Sequence, residues 1–214
     1  MAAIQGLLTD PDALHAHIRG VLAGRAATPR PLPPGIKRAA VLLPIVHSGG
    51  EAALLLTKRT DTVERHKGQI SLPGGVIEPD ESPQAAAVRE TSEEIGVRVE
   101  DITILGALTE EETVVSGFRL APFVGTIPYP YPFRLSPGEV RAVLEVPLRA
   151  LLDPRNVRTE TWDRGGDPRL IYFYSVGSDV VWGATARVIT QFLQVVFDVS
   201  IPHSAGRGAS PRAR

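Results

Sequence analysis

The chain contains no cysteine. That absence excludes disulfide staples, thiolate metal sites and cysteine nucleophiles together, and it fits a reducing cytoplasm. Lysine is scarce: Lys37, Lys58 and Lys67 stand against a background of arginine, and the formal net charge is only −1. Such a balance gives no global attraction to nucleic acid or to an anionic membrane surface. Aromatic residues make up 6 % of the chain and do not interleave with basic clusters as in a nucleic-acid binder. No apolar run approaches the ~20 residues of a membrane span. The opening MAAIQGLLTDPD lacks the basic n-region and apolar core of a secretion signal. The expectation is a cytoplasmic protein with neither nucleic acid nor membrane as partner. What remains is the composition of an ordinary globule, 43 % hydrophobic over 214 residues. That is long enough for one domain with a proper core.

Along the chain, Asp10-Pro11 opens a helix with Leu14, Ile18, Val21 and Leu22 on one face, ending near Gly24. The proline-rich TPRPLPPGI follows as an extended connector. Two strands, 38–46 and 52–59, are joined through HSGGE; Gly49-Gly50 sits between strands and precedes no helix, so it reads as a hairpin turn. QISLPGG (69–75) is a further strand running into a glycine loop. Ser82 as N-cap, Pro83 at the first helical position and Gly96 as C-terminal cap delimit a helix with Val88, Thr91 and Ile95 as its buried stripe. Later strands are expected within 97–108, 118–127 and 169–176, and helices at PLRALLDP and at 183–197. The basic tail HSAGRGASPRAR is expected to be disordered. This organisation predicts one mixed α/β or α+β domain.

The helix from Ser82 carries an oddity. Its C-terminal end, RETSEEIGV, packs Glu90, Glu93 and Glu94 into five positions just before a glycine, where the helix dipole favours cations. Like charges three or four apart repel by ~0.2–0.5 kcal/mol per pair. The three fall on an arc of about 100° at the helical period, away from the Val88/Thr91/Ile95 stripe, so a solvated acidic face is one reading. Arg89 is available to Glu93 at i+4, but Glu90 and Glu94 have no base three or four positions away within the helix. Carboxylates crowded without basic partners suit a hard divalent cation, which takes oxygen ligands and leaves positions for a phosphate.

From Gly75 the sequence reads GVIEPDESPQAAAVRETSEEIGV: five residues to Glu81, seven to Arg89-Glu90, then Glu93-Glu94, Gly96 and Val97. This resembles the signature of the Nudix hydrolases, G-x5-E-x7-R-E-U-x-E-E-x-G-U with U aliphatic. Every fixed position matches except that Thr91 stands where an aliphatic residue is usual. The resemblance implies a Nudix-type α/β/α sandwich with a mixed sheet and a loop-helix-loop catalytic motif. It implies hydrolysis of a nucleoside diphosphate derivative by water, with Mg2+ or Mn2+. By position, Glu90 and Glu94 resemble the main metal ligands, Glu93 a third ligand or a base, and the Gly74 carbonyl a backbone ligand. Gly75, Glu81, Arg89 and Gly96 resemble the structural positions, with Glu81 and Arg89 an ion pair tying loop to helix. None of His15, His17, His47, His66 and His203 has a triad-like setting, so direct water attack is the economical mechanism.

The preceding LLTKRTDTVERHKGQISLPGG (55–75) is similar to the motif before this box in coenzyme A pyrophosphatases. One motif arginine is replaced, with Glu64 in its place and Arg65 one residue late. SGFRLAPFVG (116–125) and VWGATARVI (181–189) also resemble that subfamily, so the likeness spans about residues 37 to 197. It implies cleavage of coenzyme A or acyl-CoA into adenosine 3′,5′-bisphosphate and the (acyl) 4′-phosphopantetheine. ADP-ribose, dinucleotides or oxidised nucleoside triphosphates are the alternative substrates, and a noncatalytic ligand-sensing domain is a third reading. Arg59, Lys67 and Lys58 are candidates for the substrate phosphates, with Arg65 and His66 in the same basic stretch. Phe118, Trp182 and Tyr174 are candidates for stacking on a base. A further carboxylate is sought among Glu110, Glu111, Glu112, Glu139 and Glu145, with Glu139, after a Ser-Pro-Gly turn, preferred. The domain is expected over 37–199, preceded by a helix and connector (1–36) and followed by the tail (200–214). The terminal helices would pack on the core or mediate a homodimer.

Overall fold

The structure is a computed structural model and describes residues 2–25, 32–60, 68–113, 117–164 and 167–201. The candidates Arg65, His66 and Lys67, the first part of the proline-rich connector (28–31), and the tail from residue 202 lie outside the described residues.

The apolar run Ala39–Val46 is the centre of the molecule because both of its faces are covered, which is why it is nearly continuous rather than alternating. It belongs to β1 (Lys37–Ser48), which turns through Gly49 (φ 60°) and Gly50 (φ 84°) into β2 (Glu51–Arg59), with Ser48 opposite Glu51. Two consecutive positive φ values make this the two-residue hairpin turn that glycine supports best. On its other edge β1 runs parallel to β7 (Phe118–Thr126), and its start pairs antiparallel with the short β4 (Gly74–Val76). The sheet continues outward through β3 (Ile70–Ser71), β5 (Thr103–Ala107), β6 (Glu111–Glu112) and β8 (Val140–Pro147), so it is mixed.

Strand alternation sorts the core into two layers. Ala40, Leu42, Val46, Ala53, Leu55, Ala121 and Phe123 pack under helix α3 (Pro83–Ile95). Leu43, Ile45, Leu54, Leu56 and Val124 face the opposite layer, which includes α1 (Ala2–Thr9), α2 (Pro11–Leu22), the short α4 (Leu148–Leu152) and α5 (Gly183–Phe197). The fold is therefore an α+β sandwich with a mixed sheet between helical layers. Gly106 of β5 lets α2 approach closely, because a Cβ there would lie 2.5 Å from that of Leu22. A second antiparallel sheet, β9 (Val157–Arg164), β10 (Asp167–Val176) and β11 (Asp179–Trp182), leads directly into α5, where the Tyr174 hydroxyl and Thr190 Oγ1 lie 2.8 Å apart.

Several elements differ from expectation. The chain forms α1 before Asp10, and Asp10 caps α2 by accepting from the Ala13 N–H at 3.0 Å. Strands β8, β9 and β11 form where no strand was expected. The buried stripe of α3 runs through Ala87, Thr91 and Ile95, joined by Ala86 and Glu94, while Val88 is only half-buried. Thr91 is accommodated because its hydroxyl donates to the Ala87 carbonyl at 2.7 Å, so no polar atom is left unsatisfied. Among the described residues no helix is long and apolar enough to cross a membrane.

Candidate metal and phosphate site

Helix α3 begins and ends as its sequence dictates: Ser82 Oγ accepts from the Ala85 N–H, Pro83 leads, and Gly96 turns left-handed (φ 70°). The orphan carbonyls at its C-terminal end take outside donors, Ile95 O from the Arg134 N–H at 3.0 Å and Glu94 O from the Ser136 N–H at 2.9 Å. Gly96 permits that approach, since a Cβ there would meet Arg134 O at 2.6 Å. The turn hung on the helix end carries Glu139, and the Thr60 N–H and hydroxyl tie it to the end of β2 through Glu139 O and Gly138 O.

Opposite the helix, Gly74 (φ 148°) and Gly75 bring backbone where side chains would not fit. A Cβ on Gly74 would lie 2.2 Å from Ala40 O, and one on Gly75 2.3 Å from the Glu90 carboxyl carbon. The Glu90 carboxylate therefore rests on the backbone of β4. Arg89 organises the rest. Its Nε and Nη2 donate to the two oxygens of Glu81 at 2.9 and 3.1 Å, and Nη2 also donates to Val76 O. Its Nη1 reaches Glu90 at 3.0 Å and Glu93 at 3.2 Å. Glu81 in turn accepts from the Glu78 N–H, so one guanidinium fixes the loop, the strand edge and two glutamates.

The three glutamates do not share one solvated face. The Glu93 side chain is 60 % exposed, that of Glu90 19 %, and that of Glu94 only 4 %. One arc of the helix faces solvent while its edge is covered by the β4 turn and the end of β2. Burial pushes Glu94 up to about 8; the Arg59 charge opposes this, Glu139 and Glu90 add to it, and an N–H from Gly74 opposes it. Burial also raises Glu90, against the hydrogen bond from Arg89. Glu94 Oε2 is buried and has no hydrogen-bond partner. An orphaned carboxylate oxygen beside two further carboxylates fits a cation better than any protein donor in reach.

Glu90, Glu94 and Glu139 line one cleft of about 640 Å3 together with Gly74, Arg59 and Phe118. Arg59 is aimed by a β-bulge between Lys58 and Arg59; its Nη1 lies 4.0 Å from Glu94 Oε1. Among the described residues no three acidic or histidine side chains form a ready-made cage. The donor set nevertheless suits Mg2+ or Mn2+, because Mg2+ is usually bound by one or two carboxylates plus substrate phosphates rather than by an all-protein cage.

Other sequence candidates are placed elsewhere. Lys58 Nζ is held by both oxygens of Asp179, at 2.8 and 3.0 Å, and does not face the cleft. Tyr174 is a core residue. Glu110 pairs with Arg38, Glu111 with Gln191, Glu112 with Arg119, and Glu145 with Tyr129. Trp182 lines a second, adjoining cavity that shares Arg59, Ser71, Thr113, Ala184 and Thr185 with the first. Trp162, Thr113 and Thr185 escaped sequence reasoning; only the segment VWGATARVI, which contains Thr185, carried a signal.

Comparison with known proteins places the chain in a family and a fold. The NUDIX domain family matches residues 36–163. A Nudix hydrolase of Photorhabdus laumondii, NudL, is 36 % identical over 78 % of this chain and 89 % of its own length. NudL of Escherichia coli K12 is 36 % identical over 72 % and 80 %. A MutT/nudix family protein from Enterococcus faecalis, 16 % identical, superposes over 86 % of this chain and 74 % of its own with a TM-score of 0.53. A protein from Deinococcus radiodurans, 13 % identical, does so over 77 % and 88 % with a TM-score of 0.50.

Proposed function

Because the chain belongs to the NUDIX family of pyrophosphohydrolases, we propose that it hydrolyses the pyrophosphate bond of coenzyme A or an acyl-CoA. The products are adenosine 3′,5′-bisphosphate and the (acyl) 4′-phosphopantetheine. The observation that carries the catalytic reading is Glu94, a buried carboxylate with an unpartnered oxygen, facing the same cleft as Glu90 and Glu139. The choice of substrate is supported by the stretch LLTKRTDTVERHKGQISLPGG, similar to that of coenzyme A pyrophosphatases, whose Arg59 lines the cleft.

Glu90, Glu94 and the Gly74 carbonyl would hold Mg2+ or Mn2+, which when bound neutralises the diphosphate and makes water nucleophilic at neutral pH. Arg59 binds and orients a phosphoryl oxygen by charge-assisted hydrogen bonding. Arg89 touches no substrate; it positions Glu90 and Glu93 through its fork. Glu139, on the cleft wall, accepts the proton released by the attacking water, while Glu93 stays at the exposed rim. Water oxygen bonds to one phosphorus, the bridging P–O bond breaks, and the leaving phosphate carries the electron pair away.

A substrate panel with wild type and Glu94→Gln tests this. Coenzyme A is expected to turn over fastest, and the variant, which keeps shape and loses charge, to fall by more than the ~10–100-fold typical of an outer-shell partner. Faster turnover of ADP-ribose, dinucleotides or oxidised nucleoside triphosphates would redirect the substrate. A fully active variant would remove the ligand role, and no phosphate release from any compound would leave a noncatalytic domain.

A further inference from the structure

Beyond Arg59 the cleft opens into the second cavity, of about 240 Å3. Its far wall comes from the second sheet, most of which lies past residue 163, where the NUDIX match ends. That wall is aromatic. Trp162 and Trp182 stand 6.1 Å apart, centroid to centroid, at 53°. Phe173 stacks behind Trp182 at 6.3 Å and 12°, and the Arg158 guanidinium lies 3.9 Å from the Phe173 ring centre. The Trp162 indole N–H is already spent on Glu160 at 2.8 Å, so what this residue offers a ligand is its ring. The cluster is braced before any ligand arrives, which lowers the ordering cost of binding.

We propose that this cavity is the nucleobase subsite: a planar heteroaromatic ring packs on Trp162 and Trp182 while the attached diphosphate passes Arg59 to the carboxylates. The assignment deepens the function proposed above and rests on it. Three observations favour a base over a flexible aliphatic arm. The cavity is smaller than the ~300–1,000 Å3 of drug-sized pockets, so it suits one ring system. Its largest apolar surfaces are indoles, whose faces attract any base by stacking. Gln69, Thr113 and Thr185 supply polar groups among them for the ring edge. Arg59 lines both cavities, so a phosphate beside it brings the neighbouring nucleoside into this one.

The chain has two tryptophans, both in this cavity, so intrinsic fluorescence reports on it alone. Wild-type protein in chelator is titrated separately with adenosine 3′,5′-bisphosphate and with 4′-phosphopantetheine. The nucleotide half is expected to quench or shift the emission and the pantetheine half to leave it unchanged. In turnover, Trp182→Leu should raise KM for coenzyme A by about tenfold or more, the equivalent of one base stack, with kcat nearly constant and Trp182→Phe restoring most of the affinity. Emission that responds only to pantetheine, or to neither half at saturation, overturns the proposal, as does an unchanged KM in a folded Trp182→Leu. The two readings fail separately. Quenching by the nucleotide without hydrolysis sinks the enzymatic reading, and hydrolysis without quenching sinks the base subsite.

Discussion

Glu94 meets two opposed demands. As the metal ligand proposed above it would present a negative oxygen to a cation, yet its carboxylate is buried and close to Glu139 and Glu90. In metal-free protein its folded-state value of about 8 lies above the ordinary 4.5. A raised value means that the folded state binds the extra proton, so this group's stabilisation is complete in acid and is lost as pH rises towards 8. In chelator, Glu94→Gln should therefore melt several degrees above wild type at pH 8.5, each kcal/mol shifting Tm by ~2–4 °C in a chain this long, with the gap closing near pH 5. A gap independent of pH would mean that Glu94 is not the titrating group. Its burial was not legible in the sequence. Periodicity puts Glu94 on the same arc as Glu90 and Glu93, and only the approach of Gly74 and Arg59, 20 and 35 residues earlier in the sequence, covers it. Residues whose role is local read more directly: Ser82, Pro83 and Gly96 cap α3 through neighbours within four positions.

At the scale of elements, the contact between α2 and the end of β1 carries a pH dependence of opposite sign. His15 on α2 and His47 on β1 pack edge to face with ring centroids 5.9 Å apart, and the Nε2 atoms of both are buried without partners. Burial lowers both; Arg19 lowers His15 further while Asp12 opposes, and His15 lowers His47 further while Asp10 opposes. The unfolded chain thus takes up protons first, and the stability contribution is full above the ordinary 6.5 and lost as pH falls below it. Tm should drop between pH 7.5 and 5.5 by more in wild type than in His15→Asn; parallel profiles would refute this. The hairpin β1–β2 was legible from Gly49-Gly50 and the apolar runs beside it. Strands β8 and β9 were not, because GEVRAVLEV and VRTETWDR interleave charges with apolar residues; β8 finds its place by pairing with the distant β2, whereas β9 and the four-residue β11 flank β10, their neighbour in sequence.

In the whole molecule, the two sheets meet where Lys58 and Arg59, adjacent on β2, point to different tasks. Lys58 ties β2 to β11 through Asp179, and Arg59 faces both cavities. Sequence reasoning grouped them, since nothing local tells a lysine that its partner lies 121 positions away. Lys58→Ala should cost ~1 kcal/mol of stability or less and leave KM for coenzyme A nearly unchanged. Arg59→Ala should raise that KM by roughly 10–100-fold, the worth of a charged hydrogen bond of ~1.5–3 kcal/mol. Equal effects on KM would return both residues to a single role. The NUDIX layers, with the box helix against a mixed sheet, bring Glu90, Glu94 and Glu139 to one cleft, and the second sheet lines the cavity beside it.

The metal assignment underlies all of this chemistry, and crystals soaked in manganese and measured at its absorption edge test it most directly. An anomalous peak bounded by Glu90, Glu94 and the Gly74 carbonyl is the expected result. A map without density there, with both carboxylates turned to bulk water, contradicts the account.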